Sequence, residues 1–265
     1  MSTSTAISRL SPLEVLAQRF QQFTLSESPS ASPRPQGLGE NEWLTDKWTA
    51  WNIDDLLLEH PGLSVQPCGL GELEIAGQFD FTAEFNGQEI RDAYELRIAI
   101  SRDFPLFVPK VWETADRISE TFHKLNDCSL CLGSRLRLQL MITSDPTISS
   151  FARKTIIPYL FSYSYLQLHG ELPFGDLAHG VGGLIDDYKR IFLVSSSAAA
   201  QRMVYLAASE RRKANKHVCP CGSGVRVGKC HNTILNRLRG QLGRRWFRDE
   251  YDRLVGERTR HHKLR

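Results

Sequence analysis

The chain has 265 residues, of which 41% are hydrophobic and 9% aromatic, with 33 Lys+Arg against 30 Asp+Glu. That composition excludes a largely disordered, collagenous or fibrous chain and is sufficient for a sizeable core. The formal net charge of +3 conceals a division after Ala200: 16 Lys+Arg against 25 Asp+Glu before it and 17 against 5 after it, an acidic body of −9 joined to a basic tail of +12. Two parts with different partners are expected.

No apolar run approaches the roughly 18 residues of a membrane span, and Met1 to Leu10 carries no continuous apolar stretch of a secretory signal. A cytoplasmic location is expected. The cysteines at 68, 128, 131, 219, 221 and 230 are too few and too clustered for a disulfide scaffold, so metal binding or catalysis is the expected use.

In chain order, Ser11 and Pro12 open a short amphipathic helix over 11–23, and the Ser/Pro/Gly-rich stretch 24–39 reads as a linker. Residues 42–59, with Trp43, Leu44, Trp48, Trp51, Ile53 and Leu56, suggest a helix. Next, Leu73, Ile75, Phe79, Phe81, Ala83 and Phe85 occupy odd positions, Asn86-Gly87 supplies a two-residue turn, and Tyr94, Leu96, Ile98 and Ile100 occupy even ones. This predicts an antiparallel hairpin with one buried face. A third strand is expected over about 108–112, with Pro109 marking an edge. Beyond a cysteine-bearing loop, Asp145-Pro146 predicts a helix start, leading into an apolar helix over 151–168 that Pro158 kinks. Further helices are expected over 184–194 and 198–216, and one or two basic helices over 233–265. This order gives an α+β chain with domains at 1–40 (helix and linker), 41–195 and 196–265.

The segment His217 to His231 reads HVCPCGSGVRVGKCH: Cys219-x-Cys221, eight residues, then Cys230-His231. Three thiolates and one imidazole meet the tetrahedral N/S preference of structural zinc, and Gly222-Ser223-Gly224 permits a tight turn around an ion. Around a divalent cation the set would carry net charge −1, offset by Lys216, Arg226 and Lys229. A closed four-ligand site leaves no open position for catalysis, so an organising role is expected. CPCGSG followed by Cys-His resembles the SEC-C motif, a short zinc-binding module at the C-terminus of the SecA translocation ATPase and of many unrelated bacterial proteins.

A second cluster of reactive residue types lies in Phe122-His123-Lys124-Leu125-Asn126-Asp127-Cys128-Ser129-Leu130-Cys131. A cysteine nucleophile needs access, thiolate character and a neighbour that moves a proton or stabilises an oxyanion, and His123 and Asn126 are suitable types. Cys128-x-x-Cys131 is also compatible with a redox pair or half of a second metal site. The parallel βαβ setting of the former and the partner half of the latter are not visible. His169, Glu171, Asp176 and His179 are residue types that could carry protons, but surface or loop-bonding roles are the expected ones, since positioning rather than type defines a general base.

The meander strands, Phe104-Pro105, the Val108-Pro109-Lys110-Val111 strand, His123 and Leu130-Cys131-Leu132 together resemble the ubiquitin-conjugating-enzyme fold over about residues 42–195. The resemblance implies a thioester at Cys131, with His123 organising the loop and Asn126 stabilising an oxyanion. Two residues separate His123 from Asn126 where the family has one. More narrowly, Leu-Cys-Leu-Gly-Ser, Ile157-Pro158-Tyr159-Leu160, the stretch 169–180 and the appended SEC-C-like segment resemble bacterial conjugating-enzyme-like proteins of short type II CBASS antiphage operons. That likeness implies an antiviral transferase that receives the C-terminus of a cGAS-like nucleotidyltransferase and passes it to an amine. No nucleotide-binding pattern such as G-x-x-x-x-G-K-[ST] is present, so a separate activating enzyme or an already activated donor is implied. The alternatives are a non-catalytic adaptor and a tail that binds nucleic acid through Arg244, Arg245 and Arg248 beside Trp246, Phe247 and Tyr251.

Overall fold

The computed structural model describes residues 47–66, 71–173 and 180–263. The expected helix at 11–23, the linker, Cys68, Asp176 and His179 lie outside them. The elements are α1 (Ile53–Glu59), β1 (Leu63–Gln66), β2 (Glu72–Phe85), β3 (Gln88–Ser101), β4 (Lys110–Glu113), α2 (Arg135–Ser144), α3 (Ile148–Phe151), α4 (Ile157–His169), α5 (Gly180–Phe192), α6 (Ser197–Ala208), α7 (Arg211–Ala214) and α8 (Asn232–Lys263). The chain is α+β, and it divides into two compact units: Met1–Leu132 with Asp145–Asp176, and Gly133–Ser144 with Leu177–Arg265.

The first unit is built on a four-stranded antiparallel sheet in the order β1-β2-β3-β4. Its centre is the expected hairpin. Leu73 lies opposite Ile100, Ile75 opposite Ile98, Phe79 opposite Tyr94 and Ala83 opposite Ile90, all buried, because side-chain alternation sends each opposed pair to the same face. Asn86 (φ 52°) and Gly87 (φ 80°) close the hairpin in the left-handed conformations that suit the strand twist. Strand β1, absent from the sequence expectation, adds to the outer edge by pairing Leu63 with Gly77. Gly77 has φ 132°, and a Cβ there would lie 2.2 Å from the Gly62 carbonyl oxygen, so glycine is required where the strands close up. The third expected strand is β4, at the other edge.

The expected single helix over 42–59 is interrupted. A helical turn at 47–50 gives way at Asn52 (φ 57°) to α1, and the Asn52 amide holds the reversal by donating to Asp55 Oδ2 at 2.5 Å. Asparagine tolerates this conformation better than other side chains. Beside it, where the Ile148 amide donates to the Trp51 carbonyl at 2.7 Å, Thr147 rather than Asp145 caps α3, its hydroxyl accepting from the Ser150 amide. The expected helix over 151–168 is α3, a π-helical segment Ala152–Ile156 and α4, with Pro158 in the first turn of the last. Proline lacks an amide proton and crowds the carbonyl four residues back, and the wider turn accommodates both.

The second unit is helical. Leu136 of α2, Tyr188 and Phe192 of α5, Met203 and Leu206 of α6 and Phe247 of α8 share one core. This differs from the expected division at 195/196: segment 133–144 and α5 bury their apolar side chains with the C-terminal helices. The expected helix over 198–216 is two, α6 and α7, with Ser196 capping α6 through the Ala199 amide. The basic C-terminal run is two helices joined at Gly243, whose φ 77° and ψ 157° break the helical path. Among the described residues no single helix is long and apolar enough to cross a membrane.

Candidate thiol site and Cys/His cluster

The loop after β4 folds into a small hairpin. Lys124 bridges Leu130 in antiparallel sense, the Leu125 amide donates to the Ser129 carbonyl at 2.8 Å, and the Cys128 amide donates to Leu125 at 2.9 Å. At its base, the Cys131 amide donates to the His123 carbonyl at 2.7 Å and the Leu130 amide joins the Val111 carbonyl of β4, also at 2.7 Å. Cys131 therefore sits where the loop is anchored to the sheet, half-buried and outside any disulfide. His123 adopts φ 41° and Cys128 φ 61°, left-handed conformations that turn the chain sharply at the base and at the tip.

The hairpin tip is tied down by residues that the sequence reading did not single out. Asp127 Oδ2 accepts from Lys110 at 2.7 Å, Asp127 Oδ1 accepts from the Ser129 hydroxyl at 2.5 Å, and the Trp112 indole donates to the Asp127 carbonyl at 3.0 Å. The Lys110 bond, followed by those of Ser129, lowers the Asp127 pKa to about 2. The spacing Lys110-x-Trp112 placed both residues on a strand, but nothing local predicted that their side chains would reach Asp127.

His123 and Cys131 are thus brought together through their backbones. Asn126 is not. It lies exposed at the tip, three residues out from His123, or roughly 10 Å along an extended strand. The Cys131 amide is itself occupied by the His123 carbonyl, so it cannot serve as an oxyanion donor in this conformation. Cys128 is exposed at the tip with a free thiol. His169 is at the exposed end of α4, its ring 4.2 Å from that of Tyr165, and Glu171 is exposed beyond it.

In the second unit, Cys219, Cys221, Cys230 and His231 bring one ligand atom each within 4.8 Å of all the others. The Val218–Arg226 bridge and the bond from the Cys219 amide to the Val225 carbonyl at 2.8 Å close the knuckle. Gly222 (φ 86°) and Gly224 (φ 74°) make its turn. Cys230 and His231 are delivered by a 3₁₀ turn, Val227–Lys229, directly before α8. Separations of 3.2 Å for Cys219 Sγ to His231 Nδ1, 3.1 Å for Cys230 Sγ to the same nitrogen and 3.5 Å for Cys221 Sγ to Cys230 Sγ approach the edges, roughly 3.3–3.8 Å, of a tetrahedron with metal–ligand bonds of about 2.0–2.3 Å. The four residues could hold a metal ion. Bonds from Ser223 lower the Cys221 pKa to about 6, whereas burial raises that of Cys219 to about 12.

The tail uses part of its charge within its own unit. Arg239 donates to the carbonyls of Ala207 at 3.0 Å and Ser209 at 3.2 Å, and Arg244 donates to Ala208 at 3.3 Å. Both arginines neutralise the unpaired carbonyls at the C-terminal end of α6. Arg237, Arg245 and Arg248 are exposed. No family model, curated protein or solved structure matches the chain.

Proposed function

We propose that the chain is a ubiquitin-conjugating-enzyme-like acyl transferase in which Cys131 carries a thioester. The observation that carries this reading is the placement of Cys131: a half-buried cysteine outside any disulfide, following an antiparallel meander and paired to His123 where the loop joins the sheet. Attack of the Cys131 thiolate on an activated acyl group releases the donor's leaving group and forms the thioester. An incoming amine then expels the thiolate and leaves an amide, with one proton lost from nitrogen. His123 organises the loop. In the antiphage reading, the donor is the C-terminus of a cGAS-like nucleotidyltransferase, which a separate enzyme activates or which arrives already activated.

The Cys/His cluster is read as a structural zinc site of the SEC-C type. Three sulfur ligands and one imidazole favour zinc over harder cations. With four protein ligands, the ion would hold Cys219 and Cys221 against the start of α8 and take no part in the acyl chemistry.

The deciding experiment is mass spectrometry of the protein co-expressed with its operon neighbours, under non-reducing conditions. An adduct that disappears with hydroxylamine and is absent from Cys131→Ala supports the transferase, and conjugation that survives Cys131→Ala overturns it. A second reading, an adaptor with an inert cysteine, is favoured by the exposed position of Asn126 away from Cys131. Alkylation of Cys131 across pH separates the two, since an inert thiol keeps a high pKa. For the tail, salt-dependent retention of single-stranded DNA that is lost when Arg237, Arg245 and Arg248 are replaced would favour nucleic acid over protein contact.

A further inference from the structure

Residues 114–123 form no regular element, so their backbone groups must find partners elsewhere. Two tyrosines one turn apart on α4 supply several of them, beside the Glu113 carboxylate, which accepts from the Ala115 and Ile118 amides. Tyr163 donates its hydroxyl to the Arg117 carbonyl at 2.9 Å and accepts from the Ser119 amide at 3.2 Å. Tyr159 donates to the Phe122 carbonyl at 2.9 Å, with the His123 carbonyl 3.4 Å away. Both rings pack on Phe122, with centroids at 5.4 Å for Tyr159 and 4.8 Å for Tyr163.

The Tyr159 bonds bracket a strained residue. His123 holds φ 41°, a conformation that a non-glycine residue keeps only where its surroundings over-determine it. On the N-terminal side its peptide is held by Tyr159 through the Phe122 oxygen, and on the C-terminal side its carbonyl accepts from the Cys131 amide at 2.7 Å. Tyr159 is buried, and burial followed by the nearby Cys131 charge raises its pKa, so its hydroxyl stays protonated and remains a donor. The preceding π-helical segment, Ala152–Ile156, sets the angular register from which α4 presents this tyrosine.

We propose that Tyr159 is a positioning residue of the Cys131 site: its hydroxyl fixes the Phe122–His123 peptide, and through the His123 carbonyl it fixes the backbone of Cys131. Its relevance to catalysis rests on the transferase reading, but the contact itself can be tested without any activity. Tyr159→Phe removes one hydroxyl and keeps the ring. Tyr163→Phe is the matched control, since it removes the same kind of bond from the same helix at Arg117 and Ser119 rather than at the Phe122–His123 peptide.

The experiment is amide hydrogen exchange with NMR carbonyl shifts on the full chain, together with the rate of Cys131 alkylation by iodoacetamide in a Cys128→Ser background. Tyr159→Phe is expected to speed Cys131 amide exchange about fivefold, the worth of one net hydrogen bond. It should also shift the Phe122 and His123 carbonyl carbons upfield and raise the alkylation rate. Tyr163→Phe should lower global stability by a similar amount and leave these three readouts in place. The proposal is overturned if both variants move the Cys131 signals equally, or if Tyr159→Phe moves none of them. Loss of thioester formation in Cys131→Ala bears on the transferase reading alone, so the two failures are distinguishable.

Discussion

His231 Nε2 lies 3.3 Å from the carbonyl oxygen of Leu193. A carbonyl only accepts, so Nε2 must carry the ring proton, and Nδ1 is left with its lone pair directed at Cys219 and Cys230. Leu193 itself has φ 54° at the end of α5, where the Val194 amide donates back to the Lys189 carbonyl at 2.9 Å. The helix terminus therefore orients a metal-ligand candidate across the unit.

Proline at position 194 would remove the Val194 donor and drive Leu193 into extended backbone, turning its carbonyl away from the ring. Val194→Pro is expected to weaken metal affinity about 10- to 100-fold, in line with the loss of an outer-shell partner. Leu193→Gly keeps the turn without the left-handed penalty and should preserve affinity while stabilising the unit by roughly 1 kcal/mol. Competition with a chromophoric zinc chelator measures both, and equal affinity in Val194→Pro would remove the Leu193 contact from the account.

A pH dependence follows from His60. The ring stacks on Phe79 at 3.8 Å and Nδ1 lies 2.8 Å from the Asp80 carbonyl, while Nε2 is buried with no hydrogen-bond partner. Burial pushes the pKa down to about 4. The unfolded chain, with an ordinary histidine pKa near 6.5, then binds the proton more readily than the folded one. Stability is complete above about pH 6.5 and is lost as pH falls towards 4, by about 3 kcal/mol in total. Urea midpoints recorded over this window should fall in the natural protein. In His60→Asn, whose amide can replace the Nδ1 donor, they should remain flatter, and parallel curves would exclude His60 as the source.

Legibility in the sequence followed the range of each interaction. The β2–β3 hairpin was readable to the residue because alternation and the Asn86-Gly87 turn are local signals. The Cys219/Cys221/Cys230/His231 cluster was readable because its ligands are close in sequence. Helix α2 was missed: Leu136, Leu138, Leu140 and Ile142 recur at every second position, a strand-like pattern, because the helix is packed on more than one side and no single apolar stripe survives. The association of 133–144 with the C-terminal helices was equally invisible, since it joins residues such as Arg135 and Glu250 that are distant in the chain. For the thiol loop, residue types drew attention to the segment, and the family resemblance rather than local chemistry selected Cys131 and His123. That Asn126 projects at the tip and Tyr159 closes the base depends on contacts between segments distant in the chain, which no local pattern records.

Glu250 is fully buried and holds three elements together. It accepts from Arg135 of α2 at 2.8 Å, from Arg253 Nε at 3.0 Å and from the hydroxyl of Tyr188 on α5. Arg135 and Arg253 keep 37% and 30% of their side chains exposed, so loss of Glu250 strands the buried Tyr188 hydroxyl but leaves both arginines in reach of water. Glu250→Ala is expected to destabilise the second unit by about 2–3 kcal/mol, and Tyr188→Phe by about 1–2 kcal/mol. Denaturant titration followed by Trp246 fluorescence reads both, and a loss below about 1 kcal/mol for Glu250→Ala would show that solvent reaches the carboxylate.

Gly77 and Gly87 provide a matched pair, because both have positive φ but only one is crowded. At Gly77 (φ 132°) a Cβ would meet the Gly62 carbonyl oxygen at 2.2 Å, whereas at Gly87 (φ 80°) nothing lies within 4 Å. Gly87→Ala should therefore cost only the backbone penalty, about 1 kcal/mol. Gly77→Ala adds a collision with backbone that cannot rotate away, and its relief requires β1 to leave the sheet. The expected cost is about 2–4 kcal/mol, with faster amide exchange at Gln78, whose donation to the Gly62 carbonyl at 3.2 Å is the first bond lost. Equal costs at the two positions would mean that β1 yields freely and that Gly77 is set by its own backbone angles alone.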